Sequence, residues 1–396
     1  MTTPTVLIHV QHLLGIGHLK RALAVAAALA ERGVRVVAAS GGEPVPLVED
    51  AAATSGVEIV RLPAARAADE SFSAVLDANG KPINDEWKAN RRAALLQLFE
   101  TMQPDAVITE MYPFGRRPFR FELQPLLEAA QARAVRPVIA CSVRDVLVTK
   151  QKPGRAEEMA ATARSYYDLV LVHGDPALIP FATTFPAASA IADLIRHTGY
   201  VTDAPAAAGN EDGTQDRTLG EVLVSAGGGA VGFALLAAAI EARSLSRLRQ
   251  RNWRIIAGAN LPESQFMALA ARMMGTDGIV LERFRPDFRN LLARCRVSVS
   301  QGGYNTVLEI LASRTPAVIV PFATGGEDEQ TTRAQRLAEK GLLAVLPERD
   351  LSPERLAMAI DRMAENPPPA VAIAFDGAAQ SARLVLDAIA ARATVR

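Results

Sequence analysis

Cysteine, histidine, net charge and long apolar runs are all scarce in this chain of 396 residues. Only Cys141 and Cys295 are present, far apart in apolar stretches, which excludes a disulfide framework and a cysteine-based zinc site. The histidines (His9, His12, His18, His173 and His197) offer no metal-ligand spacing beyond the weak His9/His12 pair. Net charge is zero, because 43 Lys+Arg face 43 Asp+Glu. A general nucleic-acid binder would carry a surplus of cations, so no nucleic-acid partner is expected. Apolar runs such as Ala22 to Ala30 and Ala230 to Ile240 fall short of the roughly 20 residues a membrane span needs. No charged leader with an apolar core precedes the first strand, so a soluble, cytoplasmic setting is the expectation. What is present describes a globular chain, 49% hydrophobic and 22% charged, long enough for two domains of roughly 150–200 residues.

Short apolar runs alternate with stretches of helical period from end to end. Val6 to Val10 has strand length, Gly15-Ile16-Gly17 makes a turn, and Leu19, Leu23, Ala26, Ala27 and Ala30 share one helical face. Further strands are expected at Val34–Ala39, Val57–Leu62, Asp105–Thr109, Pro137–Ser142 and Leu169–His173, with helices such as Asp85–Met102 and Phe119–Ala130 between them. The stretch Asp203 to Thr218 is alanine, glycine, proline and charge without period, and reads as a linker. The pattern then restarts with strand Glu221–Ala226, glycine turn Gly227–Gly232 and helix Phe233–Ala242. Strands at Trp253–Ala257, Ile279–Leu281, Val297–Ser300, Ala317–Val320 and Leu342–Val345 follow, and the main helices are Asn305–Ser313, Asp328–Lys340, Pro353–Ala364 and Ala378–Ala393. Buried strands separated by helices predict an α/β chain of two doubly wound, Rossmann-like parallel-sheet domains facing across a cleft. The expected divisions are 1–202, a linker at 203–218, a second domain at 219–375, and a terminal helix at 376–396 packing back on the first domain.

Gly227-Gly228-Gly229-Ala230-Val231-Gly232 follows a strand and precedes a helix. It has the dinucleotide spacing, but the next strand runs into Gly258-Ala259-Asn260 with no carboxylate for a ribose. Free amides at that helix start would still attract a phosphate; the alternative is glycine for packing alone. Ser300-Gln301-Gly302-Gly303-Tyr304-Asn305-Thr306 ends another strand at another helix, where a pyrophosphate would meet bare amides and a positive helix end. Glu309, one turn on, could accept both hydroxyls of a ribose, or could merely close a capping box with Thr306. Glu327-Asp328-Glu329-Gln330 opens a further helix; its acids are either dipole partners or, with the Gln330 amide, a grip for sugar hydroxyls. In the first half, Gly17-His18 begins a helix, and His18 is either a general base or a packing histidine. Arg116, Arg117 and Arg120 form a basic cluster, read as a solvated face or as a patch for an anionic acceptor or a membrane surface. No Asp-x-Asp pair suited to a diphosphate-bound metal stands out, so no metal is expected.

Together these residues resemble the GT-B glycosyltransferases of family 28 and their relatives, the strong match being SQGGYNTVLEILASRTPAVIVPF followed by GGEDEQTTRAQ. The resemblance implies that Gln301, Gly302, Gly303, Asn305 and Thr306 hold the donor's diphosphate and Glu309 its ribose. It further implies that Asp328 and Gln330 hold the donor sugar and that Phe284 and Arg285 flank the base. Gly227, Gly228 and Gly229 join the diphosphate site. The loop GIGHLKRALAVAAAL is similar to the family's glycine loop plus histidine, and also to that of a UDP-sugar hydrolase. The family's acceptor residues have no match here, so Gly17, Glu110, Arg144 and Asp145 stand as acceptor-side candidates by position.

The expectation is therefore an inverting, metal-independent hexosyl or N-acetylhexosaminyl transferase. It would use a UDP-linked nucleotide sugar as co-substrate and no cofactor, and move the sugar to a hydroxyl on a small or lipid-linked acceptor, with His18 as base and peripheral membrane contact through the arginines. A hydrolase or epimerase on the same fold, and a non-catalytic nucleotide-sugar-binding partner, are the alternatives.

Overall fold

A computed structural model describes residues 3–13, 15–69, 74–148, 152–202, 220–227, 232–322 and 329–394. The expected linker, together with Gly228, Gly229 and Asp328, lies outside the described residues. Two compact units result: residues 1–147, 151–203 and 374–396 form the first, and residues 148–150 and 204–373 the second.

The first unit begins with β1 (Thr5–Val10), α1 (Gly17–Ala30), β2 (Arg35–Ser40), α2 (Pro46–Thr54) and β3 (Val57–Arg61). A small antiparallel pair, β4 (Ala65–Ala67) and β5 (Val75–Asp77), precedes α3 (Asp85–Met102) and β6 (Ala106–Glu110). Next come α4 (Arg120–Ala132), β7 (Val138–Arg144), α5 (Arg155–Tyr166), β8 (Leu169–His173) and β9 (Ile195–His197). The main sheet runs β3-β2-β1-β6-β7-β8-β9, all parallel. Both faces are covered, which is why its strands read as unbroken apolar runs. One face packs Leu7, Val107 and Ile139 against Leu95, Phe99 and Leu123; the other packs Ile8, Val36 and Ile108 against Leu19, Leu23 and Leu29 of α1.

The second unit holds β10 (Val222–Ser225), α6 (Phe233–Leu245), β11 (Trp253–Ile256), α7 (Glu263–Arg272), β12 (Ile279–Glu282) and α8 (Phe288–Arg294). It continues with β13 (Val297–Ser300), α9 (Tyr304–Ser313), β14 (Ala317–Ile319), α10 (Glu329–Glu339), β15 (Ala344–Val345) and α11 (Pro353–Glu365). Its sheet is again parallel, in the order β12-β11-β10-β13-β14-β15. The order reverses between β10 and β13, whose carboxyl ends meet at the Ser225–Ser300 register pair. Such a switch point is where open α/β sheets take their ligands.

The last helix, α12 (Gly377–Thr394), belongs to the first unit. Ala382 and Val385 complete the α1 face of that core. Arg392 donates to Asp168 at 2.7 Å and to the Pro137 carbonyl. A side chain at Gly377 would lie 2.7 Å from the Tyr200 carbonyl oxygen, so only glycine lets the helix start this close.

Candidate functional site

In the first unit, the polar residues that end apolar strands gather at one edge of the sheet. Glu110 closes β6, and its register partner Ser142 lies on β7; Arg144 closes β7 opposite His173, which closes β8. His18 is the second residue of α1, a helix that starts without a side-chain cap and without an acid in its first turn. Its Nδ1 lies 2.8 Å from Glu110 Oε1, and Arg21, one turn further along α1, donates to the same oxygen. Glu110 and Arg21 are buried, whereas the His18 side chain keeps 18% of its surface exposed.

The electrostatics follow from this geometry. Although burial alone would raise the Glu110 pKa, the neighbouring His18, Arg21 and Arg116 hold it well below the usual carboxylate range. It is therefore an anion that accepts from His18 Nδ1–H, which leaves Nε2 with its lone pair. Burial lowers the His18 pKa to about 3, opposed by Glu110 and assisted by Arg116 and Arg144. The ring is neutral near pH 7. At the end of β8 His173 is held between Ser142 Oγ at 2.8 Å and Thr198 Oγ1 at 2.9 Å, and burial brings its pKa to about 3 as well.

The other first-unit candidates divide. Gly17 is the first residue of α1 and is half-buried. Asp145 is fully buried and accepts from its neighbour's Val146 amide at 2.9 Å. The arginine cluster splits: Arg116 turns inward, with its Nη2 3.9 Å from Glu110 Oε2, while Arg117 and Arg120 are exposed. His9 is fully buried against Glu122 at 3.1 Å, and Arg91 holds that carboxylate with two hydrogen bonds.

The second unit offers backbone where the first offers side chains. Gly302 has φ +81°, and a Cβ there would stand 2.5 Å from Ile319 Cγ2, so the turn after β13 requires glycine. Gly303 is the N-cap of α9 and makes no side-chain cap bond; nothing lies within 4 Å of where its Cβ would be. Gly227 (φ +72°) and Gly232 (φ +122°) bracket the adjoining turn, and α6 likewise begins without a side-chain cap. Gln301 Oε1 would be 3.4 Å from a Cβ on Gly232, which brings the two turns together. The buried hydroxyls of Ser225 and Ser300, at the strand ends below, have no hydrogen-bond partner among the described residues. Uncapped helix starts and glycine turns at a switch point suit an anionic group.

Glu309 does not close a capping box. Thr306 lies three residues inside the helix, and Glu309 Oε1 instead accepts from Arg289 Nε of α8 at 3.0 Å. Asn305 is exposed and Thr306 half-buried. Gln330 uses its amide oxygen to accept from the Phe322 backbone at 3.3 Å. Phe284 is 68% exposed, and Arg285 is bound to Asp287 at 2.7 and 2.8 Å. Arg21 and Arg289 had no signal in the sequence, because each meets its carboxylate only through the tertiary fold, whereas Arg116 was visible as part of the basic cluster but not as a neighbour of Glu110. Among the described residues no three His, Cys, Asp or Glu side chains cluster as a cation site.

This second-unit arrangement has known counterparts. Residues 223–383 match the glycosyltransferase family 28 C-terminal domain. Parts of the chain also align with curated relatives. A UDP-N-acetylglucosamine–N-acetylmuramyl-(pentapeptide) pyrophosphoryl-undecaprenol N-acetylglucosamine transferase of Rhodospirillum centenum is 32% identical, covering 26% of this chain and 29% of that protein. An uncharacterized glycosyltransferase of Methanopyrus kandleri is 28% identical, covering 41% of this chain and 44% of its own. The chain thus spans under half the length of both. Over the whole chain the fold is GT-B. A calicheamicin glycosyltransferase superposes with a TM-score of 0.60 at 18% identity, covering 99% of this chain and 95% of its own. MurG of Acinetobacter baumannii superposes with a TM-score of 0.59 at 17% identity, covering 98% and 100%. No helix among the described residues is long and apolar enough to cross a membrane.

Proposed function

We propose that this chain is a nucleotide-sugar-dependent glycosyltransferase that moves a hexosyl or N-acetylhexosaminyl group from a UDP-linked donor to a hydroxyl acceptor, with inversion and without a divalent metal. The observation that carries the reading is the His18–Glu110 pair, 2.8 Å apart with the carboxylate buried, in a chain whose residues 223–383 match the family 28 domain. The relative from Rhodospirillum centenum is named for a UDP-N-acetylglucosamine donor, which supports the donor class.

In this reading the acceptor oxygen attacks the anomeric carbon as the bond from that carbon to the diphosphate oxygen breaks. The acceptor proton passes to His18 Nε2, and Glu110 stabilises the imidazolium that forms. Arg21 keeps Glu110 ionised and in place. Negative charge grows on the departing diphosphate, where the amides at Gly302, Gly303 and the start of α9, with the Gly227–Gly229 turn, take the part a metal would otherwise play. Glu309 takes the ribose with the oxygen Arg289 does not use, while Asp328 and Gln330 hold the sugar and Phe284 with Arg285 flank the base. The acceptor side comprises Gly17, Arg144 and Asp145, with Glu110 as the group that positions the base. The cytoplasm is the proposed compartment.

The test is UDP release with candidate acceptors and without them, with the product's anomeric configuration read by NMR. Acceptor-dependent release with an inverted product supports the transferase. The same pair would also activate water, so acceptor-independent release of free sugar would replace it with the hydrolase reading.

A further inference from the structure

The polar edge of the first unit carries more positive charge than its carboxylate needs. Buried Arg21 already donates to Glu110 Oε1. Arg116 is a second guanidinium over the same carboxylate, with a side chain only 13% exposed and an Nη2 3.9 Å from Oε2, beyond hydrogen-bond reach. Its Nε and Glu110 Oε2 are both buried with no hydrogen-bond partner among the described residues. Burial, Arg144 and Arg21 all lower its pKa, and Glu110 alone opposes them. Glu110 is shared among Arg21, His18 and Arg116, so a cation taken out of water in this way gains further from a second anion.

The backbone is strained to put it there. Arg116 has φ +58° and Met111 φ +68°, both in the loop between β6 and α4; left-handed conformations in residues of this size persist only where the surroundings over-determine them. The surroundings here are aromatic: Phe114 meets Phe181 and Phe185 edge-on at 5.7 and 5.1 Å. Gly115 N donates to Met111 O at 2.8 Å. The loop is thus fixed with Arg116 directed at Glu110 and, through it, at His18. The start of α1, with no side-chain cap and no acid in its first turn, adds positive potential on the His18 side.

We infer that Arg116 is the anion receptor of the acceptor site, binding a carboxylate or phosphate oxyanion carried by the acceptor so that an adjacent hydroxyl reaches His18 Nε2. That the anion belongs to an acceptor rests on the transferase reading; that an oxyanion binds at Arg116 does not. Guanidinium meets either oxyanion through two parallel hydrogen bonds.

The experiment uses the full chain, titrated at constant ionic strength with inorganic phosphate and, separately, with acetate, while the ring resonances of His18 and His12 are followed by NMR. The wild type should show a saturable shift at His18 with at least one anion. Arg116→Asn, which accepts the left-handed backbone, should bind about tenfold to a hundredfold more weakly, and Arg116→Lys should recover part of the loss. A response to phosphate alone identifies a phosphorylated acceptor, and a response to acetate as well admits a carboxylate one. No saturable shift with either anion, or equal affinity in wild type and Arg116→Asn, overturns the inference. Nucleotide-sugar binding on the same samples is a separate readout. Its absence in the wild type would remove the transferase reading and leave the anion result standing.

Discussion

The two sheets end in opposite kinds of polar surface. At the first unit's edge the groups are side chains, His18, Glu110, Arg21 and Arg116, bonded or charge-paired before any ligand arrives. At the second unit's edge they are mostly backbone: glycine turns at Gly227, Gly232, Gly302 and Gly303, and two helix starts without side-chain caps. A prearranged charge network suits proton movement, because its dipoles need no reorganisation when charge appears. A bare backbone cradle suits a phosphate, because it lets the ligand approach where a Cβ would stand in the way. On the proposed reading, one α/β scaffold yields a chemical edge and a holding edge, according to what the chain places after its strands.

The comparison breaks most visibly at Glu110. Glu110→Gln should lower turnover by roughly two to four orders of magnitude while donor affinity stays within about twofold, measured by steady-state kinetics beside calorimetry. A parallel loss of donor affinity would show that the edges do not divide the work. The next effect separates two neighbouring glycines. Gly302→Ala places a Cβ 2.5 Å from Ile319 Cγ2 at φ +81°, and should cost roughly 1–3 kcal/mol in urea unfolding. Gly303→Ala enters open space, so stability should hold within about 0.5 kcal/mol while donor affinity drops. Unchanged donor affinity there would mean that no phosphate approaches that turn.

Glu309→Ala should weaken donor binding about tenfold, since it removes a charged acceptor from the ligand. The pair with half-exposed Arg289 is worth at most about 1 kcal/mol, so the melting temperature should barely move. A lower melting temperature with unchanged UDP affinity would make Glu309 a packing residue.

Another prediction concerns pH. His18 and His173 have folded pKa values of about 3, below their ordinary value near 6.5, so the unfolded chain binds protons that the folded chain refuses. Stability should therefore be full above pH 6.5 and fall as pH drops toward 3. Unfolding midpoints across that range check it. Over pH 5 to 8 the free enzyme's kcat/KM should show no acid limb from His18.

Much of this was legible in the sequence. The strands were, because parallel strands covered on both faces are short apolar runs: Val6–Val10 is expected and Thr5–Val10 observed. So were the helix starts at Gly17, Phe233 and Tyr304, where glycine turns interrupt the apolar pattern. Helices α2, α5, α7 and α8 and the β4–β5 pair were not, for they are short or polar and bury few residues. At the candidate site, His18 and Glu110 could each be singled out, but their contact spans 92 residues and arises only when β1 and β6 pair and bring the start of α1 to the end of β6. Glu309 was ambiguous because Thr306-x-x-Glu309 fits a capping box; the observed N-cap at Gly303 removes that option, and the Arg289 partner has no local signature.

The most direct test of the division of labour is calorimetric titration of UDP-sugars into wild type, His18→Ala and Glu309→Ala, with turnover measured on the same preparations. The account predicts that His18→Ala binds donor as the wild type does yet turns over at least a hundredfold more slowly, and that Glu309→Ala binds more weakly. Absence of heat with every nucleotide sugar tried, or a His18→Ala enzyme that turns over at the wild-type rate, would contradict it.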